Sequence, residues 1–551
     1  MSVLLTTACA VPAAGAIVTA ALPAGTTESR RRTTKAVALA FSVAALGLAA
    51  AIAARFDSGG PRYQLTEHYS WIRAFGISFS FGVDGIGAVL VLLTAVLVPL
   101  VMLASWHDAT PDTGDSVAGG PAPEGSFGSN TFEGRRRTQG YFALILAVEA
   151  MVLVSFLATD VFLFYVFFEA MLIPMYFLIG GFGDKAGGPE QARQRSYAAV
   201  KFLLYNLLGG LVMLAAVIGL YVIAQNQNLG TFDLQALTSA IADGKLVIDP
   251  NAERALFLGF FFAFAVKAPL WPLHTWLPNA MGESTAGTAV LITAVVDKVG
   301  TFAMLRFCLG LFPNASKFFA PAILVLAVIG ILYGALLAVG QKDIKRLVAY
   351  ASISHFGFII LGIFAMTSQG QSGATLYMVN HGISTALLML IAGFLISRRG
   401  SRLIADYGGV QKVAPVLAGT FLIGGLATLS LPGLAPFVSE FLVLVGTFTR
   451  YPALGIVATL GIVLAALYVL VLYQRTMTGP VKASVSGMPD LKARELLVAA
   501  PLIALTIALG VYPKPLTDLV NPAVADTLSQ VHRTDPAPAH PVAAPAGGET
   551  K

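Results

Sequence analysis

Residues 264–307 read FAVKAPLWPLHTWLPNAMGESTAGTAVLITAVVDKVGTFAMLRF, and this stretch decides the fold class. It contains two apolar runs, and crossing a bilayer takes about 20 apolar residues. Prolines interrupt the first run, and charged residues lie inside both. These charged residues are Lys267, Asp297 and Lys298. The pattern predicts membrane-spanning helices, one of them broken, that carry charges at bilayer depth.

The composition of the whole chain favours the same environment. Hydrophobic residues make up 56% of the 551 residues and charged residues 12%, whereas soluble chains carry roughly 25% charged residues. The net charge of +6 comes from loops. We nevertheless expect no nucleic-acid binding, because the sequence contains no basic helix and no basic patch with interleaved aromatic residues. The lipid bilayer is therefore the expected surroundings of this chain.

Motifs that hold cofactors are missing from the sequence. Cys9 and Cys308 lie in apolar runs and form no CxxC or Cys/His pattern, so zinc and iron–sulfur sites lack ligands. No glycine-rich nucleotide-binding loop occurs either. A pair of histidines could ligate haem, so haem stays open at this point. We expect no cofactor and no metal in this chain.

Apolar runs predict an all-α membrane protein with about fourteen transmembrane helices. Basic residues concentrate in alternate loops, which places the N- and C-termini outside by the positive-inside rule. The predicted spans lie near 3–23, 36–55, 83–105, 140–158, 160–181, 197–224, 255–279, 286–312, 318–339, 343–366, 374–397, 413–446, 453–475 and 495–512. The predicted regions are three N-terminal helices (1–106), a flexible cytoplasmic loop (107–138), a first repeat (139–312), a second repeat (313–480), a last helix (481–521) and a disordered tail (522–551).

Ionisable residues occur repeatedly inside the predicted spans. A charge at the bilayer centre costs at least a few kcal/mol, so such residues usually face the protein interior and have a function. Each also has a structural explanation: a Lys can reach the headgroups, a carboxylate can be a counter-ion or bind a neighbouring helix, and a His can pack. The residues are Glu149, Glu169, Lys201, Lys267, Asp297, Lys298, His355, His381 and Glu440.

Two of the predicted spans are interrupted by proline and glycine. The first break lies within KAPLWPLHTWLP and the second within LPGLAPFVSE. Freed backbone groups are tolerated in a membrane only where protein or a water-filled cavity surrounds them. Lys267 precedes the first break and Glu440 follows the second. Because the breaks are five spans apart, they predict two inverted five-helix repeats, each with a broken helix.

Carboxylate, amine and imidazole groups at this depth suit proton transfer. Burial favours the neutral forms of Lys and Glu, and a close partner of opposite sign favours the charged forms. A Lys that is released from a Glu can therefore give up its proton. A passive chain of such groups would only leak protons, so an energy source must make and break the pairs.

Four stretches together resemble the proton-pumping, antiporter-like membrane subunits of respiratory complex I. They are FLFYVFFEAMLIPMYFLIG (162–180), the stretch 264–307 quoted above, QKDIKRLVAYASISHFGFI (341–359) and LPGLAPFVSEF (431–441). Within that family the chain is most similar to M-type subunits, because Glu440 stands where L- and N-type subunits have Lys. The resemblance implies a bacterial plasma-membrane subunit of an NADH:quinone oxidoreductase, with L-type and N-type neighbours. NAD, FMN, iron–sulfur clusters and quinone would lie in partner subunits.

The resemblance also implies roles for individual residues. Glu169 would pair with Lys267, which would switch beside the first break. Lys298 would be the central relay, His355 and His381 would carry the proton onward, and Glu440 would be the exit group. Positions with less definite roles are Lys201, Glu149 and His274. Asp297 is a further, secondary candidate for the proton path, on its place inside a predicted span.

Three other functions remain open from the sequence. An Mrp-type cation/proton antiporter subunit would need no electron-transfer partner. A structural scaffold would use the buried charges only to lock helix packing. A membrane-bound hydrogenase arm is the third possibility.

Overall fold

The computed structural model describes residues 3–23, 27–109, 137–183 and 188–537, and most of them are helical. Two strands, β1 (Gln64–Ile72) and β2 (Ile77–Val83), form an antiparallel hairpin. The helices are α1 (Leu4–Ala21), α2 (Glu28–Arg55), α3 (Gly85–Ala104), α4 (Arg137–Leu157), α5 (Val161–Phe182), α6 (Gly188–Gln225), α7 (Leu234–Ala242), α8 (Pro250–Lys267), α9 (Leu277–Glu283), α10 (Ala286–Leu311), α11 (Pro313–Val339), α12 (Ile344–Ala365), α13 (Ser368–Arg399), α14 (Pro415–Thr428), α15 (Ala435–Arg450), α16 (Pro452–Met477), α17 (Ala493–Val511) and α18 (Lys514–Gln530).

Within the described ranges, twelve helices are long and apolar enough to cross a membrane. The two interrupted spans, α8 with α9 and α14 with α15, complete the predicted set of about fourteen. Both predicted breaks are present. The inverted relation between the two repeats stays a prediction.

The β-hairpin is a feature that the hydropathy pattern missed. β1 is nine residues long and reads QLTEHYSWI, which is neither a long apolar run nor a strict alternation of polar and apolar residues, so the hydropathy pattern gives no clear strand signal. Hydrogen bonds join the hairpin to the N-terminal ends of two helices. The Glu67 carboxylate accepts hydrogen bonds from the backbone N–H groups of Leu5 (2.8 Å) and Thr6 (3.0 Å) in α1. Ser78 donates its N–H to Asp160, which precedes α5, at 3.0 Å.

The prediction of disorder from residue 522 onward is wrong for residues 522–530, which continue α18. The helix forms because one of its faces is buried against α3 and α13. Residues 110–136 of the predicted cytoplasmic loop and residues 538–551 of the predicted tail lie outside the described residues. The buried residues of α18 are Val520, Ala523, Val524, Thr527 and Leu528.

A buried ion pair fixes α10, whose apolar window is entirely buried, against its neighbours. Arg306 in α10 donates from Nη2 to Asp84 Oδ1 at 2.8 Å. Its Nη1 donates to the carbonyl oxygens of Phe156 (2.9 Å) and Ala158 (3.2 Å) at the end of α4. Asp84 also caps α3 by accepting from the Gly87 N–H at 2.7 Å. This network sets the position of the helix that carries Asp297 and Lys298.

We expect Asp84→Ala to destabilise the protein by about 3–5 kcal/mol, because it leaves the Arg306 guanidinium buried without its counter-ion. The double variant Asp84→Ala/Arg306→Met should recover most of this loss, apart from about 1 kcal/mol for the missing helix cap. The measurement is the fraction of detergent-solubilised protein that stays folded after heating. Asp243→Ala, which removes an exposed carboxylate paired with Lys245, is the control. Equal heat resistance of Asp84→Ala and Asp243→Ala would contradict the prediction.

Candidate functional site

The first helix break is closed by protein groups rather than left open to lipid. α8 ends at Lys267, and the indole of Trp276 donates to the carbonyl oxygen of Val266 at 2.9 Å. On the other side, a Cβ at Gly300 of α10 would lie 2.9 Å from the carbonyl oxygen of Phe264. Glycine therefore lets the backbone of α10 approach the end of α8 closely. The turn that carries Lys298 lies beside the break.

Glu169 and Lys267 are close but not in direct contact. Lys267 is buried and donates from Nζ to the carbonyl oxygen of Phe168 at 2.7 Å, with Nζ also 3.7 Å from the centroid of the Phe168 ring. Both carboxylate oxygens of Glu169 lack a hydrogen-bond partner among the described residues. The carboxylate lies against α6, where a Cβ on Gly210 would be 1.9 Å from Glu169 Oε1. The two side chains still interact electrostatically.

The centre of the site lies in α10. Lys298 is buried, with Nζ 2.6 Å from His381 Nδ1 of α13 and 4.1 Å from the centroid of the Phe356 ring. Asp297 is buried too, and neither of its oxygens has a hydrogen-bond partner in the described part of the chain. It interacts electrostatically with both Lys298 and Lys267. Asp297 is thus a carboxylate within electrostatic range of both lysines.

Beyond the centre, polar side chains continue to the second helix break. The rings of His381 and His355 have centroids 5.2 Å apart. His355 Nδ1 lies 2.6 Å from the hydroxyl oxygen of Tyr377, and that hydroxyl donates to Glu440 Oε2 at 3.2 Å. The hydroxyl of Ser430, at the break between α14 and α15, donates to the same oxygen. Lys298 and Glu440 are therefore connected through two histidines and a tyrosine.

The polar side chains from Glu169 to Glu440 form a row between the two helix breaks. Lys201 and His274 have no direct contact with this row. Lys201 is half-buried on α6, with Nζ 5.7 Å and 5.8 Å from the ring centroids of Tyr197 and Tyr205. His274, in the segment between α8 and α9, packs its ring against Tyr333 with centroids 5.1 Å apart. Neither side chain forms a hydrogen bond to the row within the described part of the chain, although Lys201 and His274 interact electrostatically with each other.

Glu149 is also separate from the row. It is buried between α4 and α2, where Oε1 accepts a hydrogen bond from Ser42 at 3.2 Å. This contact fits the packing role that the sequence left open. Across the described ranges, no three or more His, Cys, Asp or Glu side chains lie together as ligands for a metal ion.

Sequence reasoning missed two polar members of the row, Tyr377 and Ser430. Tyr377 precedes His381 by four residues, so both project from one face of a helix, and this spacing was a usable signal. Ser430 directly precedes the Leu-Pro-Gly of the second break. No local pattern distinguishes that serine from a serine that only caps a helix.

Residues 158–465 match the family described as NADH:quinone oxidoreductase/Mrp antiporter, TM. The NADH-quinone oxidoreductase subunit M of Mycobacterium tuberculosis is 58% identical over 98% of this chain and 97% of the relative. The protein of the same name from Rhodobacter capsulatus is 37% identical over 95% of this chain and 96% of the relative.

Solved structures share the fold. A chain of respiratory complex I from Thermus thermophilus with bound NADH superposes with a TM-score of 0.80 and 30% identity, covering 96% of this chain and 99% of that chain. A chain of the Mrp complex from Dietzia sp. superposes with a TM-score of 0.76 and 22% identity, covering 96% of this chain and 100% of that chain. The second likeness concerns the fold alone.

We expect Gly210→Ala to slow proton transport by membranes that contain the variant. The new methyl group would occupy the place of the Glu169 carboxylate, which must then turn away from its position beside Lys267. A displacement of about 1 Å at a reacting group can cost about 100-fold in rate, so we expect a loss of at least roughly tenfold.

Gly181→Ala at the end of α5 is the matched control, because a Cβ there meets nothing within 4 Å. Transport by Gly210→Ala equal to that of Gly181→Ala would show that the position of the Glu169 carboxylate does not matter.

Proposed function

Since this chain belongs to the family of NADH-quinone oxidoreductase M subunits, we propose that its buried row of polar side chains is the path by which it translocates protons. The chain is a multi-pass membrane-arm subunit of the complex that oxidises NADH, reduces quinone and translocates protons. The roles of individual residues are our proposal.

One observation carries this proposal: a row of ionisable groups, joined partly by direct contacts and partly by electrostatic interaction, runs from the first helix break to the second. It begins with Glu169 and Lys267, passes Asp297 and Lys298, and continues by hydrogen bonds and ring contacts to Glu440. Ionisable groups at membrane depth are expensive to bury and usually mark ion or proton paths.

The pair at the first break supplies the switch. With Lys267 bonded to the Phe168 carbonyl rather than to Glu169, the ammonium is held in its site but is not neutralised by direct contact. Movement of Glu169 toward Lys267 stabilises the charged amine. Movement away favours release of its proton toward Asp297 and Lys298.

The interaction energy of one ion pair is similar to the electrical work of moving one proton across the membrane. Two unit charges 4 Å apart interact by about 4 kcal/mol at an effective dielectric constant of 20. Moving one charge against a membrane potential costs about 2.3 kcal/mol per 100 mV. Making or breaking one ion pair therefore offsets the electrical work on one proton at ordinary membrane potentials.

The energy for this switching comes from partner subunits. We propose that NAD, FMN, iron–sulfur clusters and quinone are held there, and that L-type and N-type subunits are the neighbours in the membrane. We place the chain in the bacterial plasma membrane with its N- and C-termini outside, on the alternation of basic loops.

An Mrp-type cation/proton antiporter subunit is the second candidate function, because a chain of an Mrp complex shares the fold. The two functions differ in their energy source. Proton transport that requires NADH oxidation and does not depend on sodium supports the oxidoreductase. Transport driven by a sodium gradient without NADH supports the antiporter.

We expect Glu169→Gln and Lys267→Ala to lower NADH-driven proton uptake by inverted membrane vesicles at least roughly 100-fold through this subunit, the usual cost of losing a proton-transfer group. Assembly of the complex, measured on native gels, should be retained. Loss of assembly with normal transport per assembled complex would instead support the scaffold function.

Asp243→Asn and Lys245→Ala are the matched controls. They remove the same kinds of charge from an exposed pair whose side chains are 2.9 Å apart and more than half exposed. An unchanged ratio of protons to electrons in Glu169→Gln and Lys267→Ala would refute the proposed path.

A further inference from the structure

Tyr377 is the only direct connection that we find between His355 and Glu440 among the described residues. Its side chain is fully buried in α13, between α12, which carries His355, and α15, which carries Glu440. Its hydroxyl oxygen is 2.6 Å from His355 Nδ1 and 3.2 Å from Glu440 Oε2. One hydroxyl group therefore contacts an imidazole on one side and a carboxylate on the other.

We propose that Tyr377 is a proton-relay residue that carries the proton from His355 to Glu440, an inference that rests on the proposed function. A hydroxyl group can do this because it both donates and accepts a hydrogen bond. A side chain of the same shape without the hydroxyl would leave a break in the row.

The transfer balances without any further reactant. The Nδ1–H bond of protonated His355 breaks as an O–H bond forms on the Tyr377 oxygen. The original O–H bond of Tyr377 breaks as its proton joins Oε2 of Glu440. His355 ends neutral, Tyr377 ends as a phenol, and the Glu440 carboxylate ends as a carboxylic acid.

Rotation about the C–O bond of Tyr377 then resets the relay. After transfer, the hydroxyl hydrogen points to His355, and it must turn toward Glu440 before the next proton can pass. This turn becomes favourable only when Glu440 has released its proton and again accepts a hydrogen bond. Through Tyr377, passage of the next proton thus depends on release of the previous proton from Glu440.

Ser430 holds the acceptor in place for this transfer. Its hydroxyl donates to the same Oε2 atom that Tyr377 contacts. Because Ser430 lies at the second helix break, the carboxylate is held there independently of Tyr377. Removing the tyrosine hydroxyl therefore tests transfer without removing the only support of Glu440.

The chain offers a matched control in Tyr468 of α16. It is buried like Tyr377, and it interacts electrostatically with Glu440. Its hydroxyl has no hydrogen-bond partner in the described part of the chain. Tyr468→Phe thus deletes a buried hydroxyl near the same carboxylate but outside the relay.

The decisive experiment compares Tyr377→Phe with Tyr377→His in the intact complex. NADH-driven proton uptake by inverted vesicles is measured and divided by the amount of assembled complex. A relay predicts at least roughly tenfold slower uptake through this subunit in Tyr377→Phe. It predicts higher uptake in Tyr377→His than in Tyr377→Phe, because imidazole can also accept and donate a proton. Tyr468→Phe should match the unmodified complex.

A packing role predicts the opposite order. Phenylalanine fills the space of the tyrosine ring, whereas histidine leaves a void. Uptake by Tyr377→Phe that equals or exceeds uptake by Tyr377→His overturns the relay. Glu169→Gln, measured alongside, separates failure of the relay from failure of the proposed function. If proton uptake is blocked in Glu169→Gln but normal in Tyr377→Phe, only the relay is wrong. If Glu169→Gln also transports normally, the proposed function itself is wrong.

Discussion

The cost of removing charge and backbone polar groups from water is the constraint on which this structure depends. A bilayer offers no hydrogen bonds, so polar groups in a span are stabilised mainly by contacts inside the protein. Lys267 shows the effect, because its ammonium group takes the Phe168 carbonyl oxygen and the face of the Phe168 ring. Lys298 similarly takes His381 and the Phe356 ring. The buried lysines thus contact a carbonyl oxygen, an imidazole and aromatic rings, and these contacts can be exchanged for carboxylates.

The two helix breaks turn this constraint into a functional arrangement. An unbroken helix satisfies its own backbone and offers only side chains. At the first break, Trp276 bonds the freed carbonyl of Val266, and α10 approaches closely at Gly300. At the second break, Ser430 reaches the Glu440 carboxylate. Each break therefore supplies local polar groups at an end of the row, while intact helices carry the groups between them.

Fixed contacts beside the row occur together with carboxylates in the row that lack hydrogen-bond partners among the described residues. The Asp84–Arg306 ion pair and its carbonyl contacts fix α10. The carboxylates of Glu169 and Asp297, by contrast, lack hydrogen-bond partners among the described residues. A proton path that responds to electrostatic change needs both features, because fixed helices keep donors and acceptors in register. Carboxylates without fixed hydrogen bonds remain free to change partners.

The sequence by itself determined the membrane environment, the number of spans, the two breaks and the ionisable residues at bilayer depth. These features follow from the transfer free energies of short windows of residues, which do not depend on distant parts of the chain. The tertiary structure decided which groups meet. It brought Tyr377 between His355 and Glu440, held Lys267 on a carbonyl oxygen, and left Glu149 on another helix interface. Such contacts depend on the rotation and approach of helices that are far apart in sequence, and no local pattern records those quantities.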